Sequence, residues 1–197
     1  MKLFILAFVL AACPIFGQDA YVQKNDGTKI AIDDASVRII TNEKKVIYKP
    51  LNKGGVQTID FNEFDNFSYS NFKFKTLNLN KRSEKDGYFV LAESSNKFLI
   101  FKILTPVPQE EDEVVKPSFQ MLIIDNQYNT LSSFIYNDET NSKSIEARNQ
   151  ILLNIKTAFP TCDNLINRFS DYDKKNGDLK NLSILGIFNS PIFIDCK

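Results

Sequence analysis

Histidine and tryptophan are both absent from this sequence of 197 residues. The absence of histidine excludes Ser-His-Asp and Cys-His catalysis, histidine-containing zinc sites and histidine pH switches. The absence of tryptophan removes a side chain that often anchors protein interfaces. Acid–base chemistry would therefore fall to carboxylates, Lys, Tyr or a hydrated metal, and no catalytic cluster of that kind stands out. We expect no cofactor, no metal site and no catalytic residue, and we lean against an enzyme.

An excess of either charge is also missing, because 24 Lys and Arg residues balance 24 Asp and Glu residues. Nucleic acids and acidic membrane surfaces attract proteins with a basic excess, so neither is an expected partner. The sequence also lacks any apolar run of the about 20 residues that a transmembrane helix needs. We therefore expect no transmembrane helix.

The N-terminus carries an export signal. One positive charge at Lys2 precedes a short apolar run over 3–12, which is the layout of a secretory signal peptide. Two processing routes are open. Small Gly17 before Gln18 favours ordinary cleavage between them, so that 1–17 is the signal peptide. Alternatively, Cys13 ends a Leu-Ala-Ala-Cys sequence that resembles a lipobox and would become a lipidated N-terminus. Either route predicts a periplasmic or secreted protein.

Export decides how the remaining cysteines are interpreted. Cys162 and Cys196 are the two cysteines left to pair, because Cys13 is either removed with the signal peptide or acylated. In an oxidising compartment an even pair predicts a disulfide, with two buried free thiols as the alternative. Loop-closure entropy assigns a cross-link of this span about 3–4 kcal/mol of stabilisation. The sequence therefore predicts a tail tied back by sulfur.

A β-rich region is predicted over 18–137. Its centre is a hairpin whose arms, 88–92 and 98–104, are nearly continuous in apolar and β-favouring residues around a polar turn at 93–97. Turn signals recur about every ten residues, which is typical of an antiparallel meander. The aromatic-dense segment 61–74 favours core packing over a stacking platform, because phenylalanine lacks a polar group that would suit an exposed surface.

The period changes over 138–197. Ile145, Leu152, Ile155 and Phe159 fall on one helical face, and Pro160 ends that helix. A second, shorter helix follows, then a polar loop over 171–180 and short terminal strands in the same domain. The sequence thus predicts an α+β fold: an antiparallel β meander, bent into an open barrel or a sandwich, with a C-terminal helical hairpin.

Several features together resemble small exported proteins of unknown function of Bacteroidetes type. They are the Phe16-Gly17-Gln18 ending of the signal, an Asn-Asp-Gly-Thr turn at 25–28, the Lys-Val-Ile-Tyr-Lys sequence at 45–49, the Phe/Tyr-rich segment, and a helical tail with Phe159 just before Cys162. The resemblance implies export and brings no catalytic residue with it.

The preferred hypothesis is an exported, non-enzymatic binding or scaffolding protein of the cell envelope, with an envelope protein or a glycan as partner. Two alternatives stay open. One is a carboxylate-based hydrolase acting on polysaccharide, which needs two acids facing each other in a cleft. The other is a lipid-anchored accessory of an envelope assembly, which needs an acylated Cys13.

Overall fold

The computed structural model describes residues 20–52, 54–69, 72–104, 118–136, 142–175 and 193–196. The predicted signal peptide lies outside these ranges, together with Cys13, Gly17 and Gln18. The strands are β1 (Tyr21–Lys24), β2 (Lys29–Ala31), β3 (Arg38–Ile40), β4 (Lys45–Tyr48), β5 (Gln57–Asp60), β6 (Phe64–Tyr69), β7 (Phe72–Leu77), β8 (Asp86–Glu93), β9 (Lys97–Leu104), β10 (Ser118–Asp125), β11 (Thr130–Tyr136) and β12 (Ile194–Asp195). The helices are α1 (Ser142–Ala158) and α2 (Asp163–Lys175).

Nine of these strands form one large sheet. Eight of them follow the order β11-β10-β9-β8-β7-β6-β1-β2 with antiparallel neighbours, and β12 pairs in parallel with the end of β8. Strands β3, β4 and β5 form a separate antiparallel sheet. The predicted α+β meander with C-terminal helices is therefore confirmed. The large sheet stays open, since β2 and β11 lie at its opposite ends in the described order.

One row of apolar side chains crosses the large sheet. Residues directly opposite each other on neighbouring strands point to the same face, so this row marks that face. From β2 to β11 it contains Ile30, Val22, Phe67, Phe74, Phe89, Phe101, Met121 and Phe134. Phe89 stands in the middle of the row, and its ring centroid lies 5.2 Å from that of Phe74 and 5.1 Å from that of Phe101. The sequence alternation thus builds one continuous apolar face.

Two different units cover this face. The small sheet packs on the β1–β6–β7 side, where Val46, Tyr48 and Ile59 join the buried cluster of Phe64 and Phe67. The helices pack on the β8–β11 side with a second cluster. The predicted core role of the aromatic-dense segment is confirmed for its fully buried members, which are Phe61, Phe64, Phe67 and Phe74.

The helices use most of the apolar stripe that the sequence predicts: Ile155 and Phe159 are buried, Leu152 is half-buried, and the side chain of Ile145 lies outside the described residues. Ile151, Ile155 and Phe159 are buried against the sheet. Below them the Sγ atoms of Cys162 and Cys196 lie 1.99 Å apart, at disulfide distance, with Cα atoms 4.9 Å apart. Because Cys196 directly follows β12, this bridge ties the last strand of the large sheet to the start of α2.

Two local predictions are wrong. The sequence predicts a polar loop over 171–180, but α2 continues to Lys175, and 176–180 lie outside the described residues. A polar, charged sequence such as 171–175 is compatible with a helix as well as with a loop. The sequence predicts Glu93 in the polar turn 93–97, but it is a strand residue with 7% exposure that forms an ion pair with Lys73 on β7. Pairing with a neighbouring strand explains why this carboxylate is buried.

Candidate functional site

A cleft of about 400 Å³ opens where the turn between β3 and β4 approaches the connection between β7 and β8. Its walls come from three places along the chain: the β3–β4 turn, the end of β7, and the connection that leads into β8. The lining residues are Lys44, Leu77, Leu79, Arg82, Ser83, Glu84, Lys85, Asp86 and Tyr88. The cleft thus lies where the small sheet meets the large sheet.

The apolar part of the cleft belongs to a buried cluster. Leu77, Leu79 and Tyr88 are all buried, and they pack with β9 and β10 residues such as Ile100 and Leu122. Tyr88 and Leu77 alternate with Phe89 and Thr76, so they point away from the helix-covered face. The cleft therefore has an apolar floor on the face of the large sheet opposite the helices.

Ion pairs fix most of the charged rim. Lys44 Nζ lies 2.7 Å from Glu84 Oε2 and so joins the small sheet to the β7–β8 connection. Asp86 is paired with Lys102 of β9. The charges of three rim residues, Lys44, Glu84 and Asp86, are thus neutralised by partners within the protein.

Lys85 is held from below. Its ammonium donates to Asp65 Oδ1 at 3.0 Å, to the Phe64 carbonyl at 3.0 Å and to Asn25 Oδ1 at 2.7 Å. These three acceptors lie at the start of β6 and after β1. The Lys85 ammonium therefore anchors the connection to the large sheet, and its charge is compensated by Asp65.

Arg82 differs from the other rim cations. Within the ranges that the structure describes, its guanidinium has no hydrogen-bond or ion-pair partner. The backbone of Arg82 is nevertheless fixed, because its N–H donates to the Leu79 carbonyl at 3.2 Å and its carbonyl accepts from Asn78 Nδ2 at 3.0 Å. The cleft thus presents a guanidinium on a braced backbone.

The connection is also braced from the far side. The Asn80 N–H donates to the Tyr128 carbonyl at 3.1 Å, and Asn80 Oδ1 accepts from the Thr130 N–H at 2.9 Å. Asn80, Lys81 and Lys44 all have positive φ, at 52°, 59° and 50°. Non-glycine residues adopt this conformation only where their surroundings hold them in it. Tertiary contacts therefore shape both walls of the cleft.

Electrostatics set the protonation states of the rim. The hydrogen bond from Lys44 lowers the pKa of Glu84, and the same bond raises the pKa of Lys44. Burial raises the pKa of Tyr88 to about 12, and the nearby charge of Asp86 adds to the effect. At neutral pH the cleft therefore holds a neutral phenol, an ionised carboxylate and a guanidinium, which together suit hydrogen bonding to a polar ligand.

The residues singled out from the sequence lie elsewhere. Cys162 and Cys196 form the bridge behind the helices, on the opposite face of the sheet from the cleft floor, and bring no chemistry to the cleft. The sequence does not predict the cleft, because the 79–86 segment is polar and mixed in charge, which is typical of a solvated loop. Buried Leu79 within that polar segment, and glycine at position 87 in the following strand, are the signals that could have indicated it.

Comparisons with protein families, with characterised proteins and with solved structures find no match to this chain. Neither described helix is both long and apolar enough to cross a membrane. Within the described ranges no group of three or more Cys, Asp and Glu side chains is arranged to hold a metal ion. The cleft is therefore the feature from which function is argued.

Proposed function

We propose that this chain is an exported, non-enzymatic binding protein and that the cleft beside Tyr88 holds its ligand. The observation that carries the proposal is the cleft itself, with an apolar floor and a rim of fixed polar groups. Small-molecule sites are concave, mostly apolar and about 300–1,000 Å³ in volume, with a few polar groups that orient the ligand. The cleft has this volume, and its lining combines Leu77, Leu79 and Tyr88 with charged and polar side chains, a more polar composition than is usual for such sites.

The state of the cleft acids favours binding over hydrolysis. A carboxylate-based glycosidase needs one acid kept protonated at working pH and a second acid facing it. The acids that line the cleft are Glu84 and Asp86. Lys44 lowers the pKa of Glu84, which is the direction opposite to that of a general acid, and Asp86 is paired with Lys102. These acids therefore suit a role in holding the rim.

Export is the second part of the proposal and rests on the signal pattern. The mass of the mature protein, purified from cells that process it, tests this part directly. Cleavage between Gly17 and Gln18 predicts an unmodified chain that starts at residue 18. An acylated chain that starts at Cys13 would instead support the lipid-anchored alternative, and an unprocessed chain in the cell interior would contradict export altogether.

Binding is tested by titrating a fragment library of neutral, cationic and anionic members into isotope-labelled protein and following amide shifts by NMR. We expect shifts that cluster at 82–88 in the wild-type protein. Ser83→Trp should fill the cleft and abolish them, because Ser83 is an exposed lining residue that tolerates a larger side chain. Ser95→Trp, in the exposed β8–β9 turn, is the matched control and should leave them unchanged.

Two results would contradict this site. One is a library that produces no clustered shifts at 82–88. The other is a set of shifts that Ser83→Trp leaves intact, since the ligand would then bind away from the cleft.

A further inference from the structure

We infer that the ligand of this cleft is a compact organic acid whose carboxylate binds between Arg82 and Lys44, in the place that the Glu84 side chain now takes. The inference rests on the proposed function, because it names the class of ligand for the same site. Its basis is the charge balance of the rim, the rigidity of the Arg82 backbone and the exposure of the Glu84 ion pair.

The charge balance leaves one cation uncompensated. Of the three rim cations, Lys44 is neutralised by Glu84 and Lys85 by Asp65. The remaining rim anion, Asp86, is neutralised by Lys102. Arg82 is the rim charge that no described residue neutralises, so the cleft carries about one net positive charge. A ligand with a single negative charge completes this balance.

A guanidinium suits a carboxylate or a phosphate better than it suits neutral polar groups. Its planar N–H groups match the two oxygens of a carboxylate and can bind both at once. The brace at Asn78 and Asn80 fixes the backbone of this segment before a ligand arrives. Less conformational freedom is then lost on binding, which favours affinity.

The Lys44–Glu84 pair shows what the opposite wall accepts. Lys44 Nζ already binds a carboxylate oxygen at 2.7 Å, from a residue forty positions along the chain. Both side chains are open to solvent, with 75% exposure for Glu84 and 46% for Lys44. Exposed pairs add little to stability, so a ligand carboxylate can replace Glu84 at small cost. The Glu84 carboxylate thus occupies the position that we assign to the carboxylate of the ligand.

The floor defines the rest of the ligand. Leu77, Leu79 and Tyr88 line the cleft and are 3–6% exposed, so the small apolar area that they leave open suits an aromatic ring or a short hydrocarbon chain. The Tyr88 hydroxyl remains a neutral donor at neutral pH, since burial holds its pKa near 12. A small acid with an apolar body therefore satisfies both parts of the cleft.

The test uses three probes of similar size on the full exported chain: benzoate, benzyl alcohol and phenyl phosphate. Amide shifts at 82–88 give the affinity of each probe. We expect benzoate to bind at least about tenfold more tightly than benzyl alcohol, because it adds charge-assisted hydrogen bonds. Arg82→Gln should remove most of this advantage, whereas Lys81→Gln, a loss of the same charge from an exposed neighbour, should not.

Glu84→Gln tests whether the ligand carboxylate replaces that of Glu84, by the direction in which the affinity for benzoate changes. Removing the competing carboxylate should strengthen benzoate binding several-fold and leave benzyl alcohol unaffected. If Glu84→Gln weakens benzoate or leaves it unchanged, the replacement of Glu84 is wrong. Thermal melts of all variants confirm that they are folded, so that a loss of binding reports on the cleft.

The remaining outcomes separate the two proposals. Equal binding of benzoate and benzyl alcohol, insensitive to Arg82→Gln, overturns the acid class and leaves the cleft as a binding site. Tighter binding of phenyl phosphate than of benzoate overturns the carboxylate assignment in favour of a phosphate. If neither these probes nor any member of the fragment library shifts 82–88, the proposed function fails as well.

Discussion

Gly87 lies where the buried core meets the cleft. Gly87→Ala tests whether the packing there requires a residue without a side chain. Glycine 87 lies in β8 between the cleft residues Asp86 and Tyr88. A Cβ atom added there would lie 2.3 Å from Phe74 Cζ and 2.5 Å from Phe61 Cε2. Carbon atoms pack at about 3.5–4.0 Å, so the rings would have to move by more than about 1 Å. The absent side chain is thus a requirement of the packing.

The expected loss in the free energy of unfolding follows from how little free space surrounds the rings of Phe74 and Phe61. Phe74 has 0% exposure and Phe61 has 1%. The two come from different elements, with ring centroids 5.5 Å apart. Overpacking a filled core costs about 1–3 kcal/mol, and two trapped rings place Gly87→Ala at the upper end. That is a large share of the about 5–15 kcal/mol that stabilises an ordinary domain.

Urea unfolding followed by circular dichroism measures this loss. Gly54→Ala is the matched control, because nothing lies within 4 Å of its added Cβ, and its change should stay within about 0.5 kcal/mol. Phe61→Leu should make room, so Gly87→Ala should cost clearly less in that background than in the wild type. If Gly87→Ala unfolds like the control, or if the two changes are simply additive, the steric argument is refuted.

Three further changes test separate features. Replacing Cys162 and Cys196 together by Ser should lower the free energy of unfolding by about 2–5 kcal/mol in urea titrations; equal stability would show that the bridge does not hold the tail. Burial raises the pKa of Tyr69 and Tyr88 to about 12, so the unfolded chain releases these protons first. Unfolding free energy should therefore fall between about pH 10 and pH 12, less steeply in Tyr88→Phe, and an unchanged slope would contradict the assignment. Ile135→Lys, at 66% exposure on β11, the last strand in the described order of the large sheet, should change the free energy of unfolding by less than about 0.5 kcal/mol in urea titrations; a larger loss would show that Ile135 takes part in packing.

The parts of the fold that depend on short-range patterns could be predicted. The arms 88–92 and 98–104 correspond to β8 and β9, and the turn residues between them are neighbours in sequence. Ile155 and Phe159 of the predicted helical face are buried, because a period of 3.6 is visible within one segment, whereas Ile151 is buried more fully than the predicted Leu152. Local periodicity is therefore sufficient to predict the strands, the helices and most of the core.

Features that join distant segments could not be predicted. Nothing local indicates that β3, β4 and β5 leave the meander to form a covering sheet while β1 pairs with β6. The cleft depends on that choice, since Lys44 reaches Glu84 only when the small sheet lies over the large one. Buried Glu93 is a similar case, because its partner Lys73 lies on another strand. A charged residue next to a turn is indistinguishable in sequence from an exposed one.

The same long-range contacts explain why the cleft should distinguish ligands by their charge. A loop that closes over the ligand is not needed for this. The β7–β8 connection is held at Lys85 by β6, at Asn80 by the β10–β11 turn, and at Gly87 by the rings of Phe61 and Phe74. A segment fixed at three points has little freedom left to lose when a ligand binds. Affinity then depends on the exposed charge of Arg82 and on the exposed Lys44–Glu84 pair, which are not among these three anchors. Exchanging rim charges should therefore change the class of ligand bound while the melting temperature stays the same.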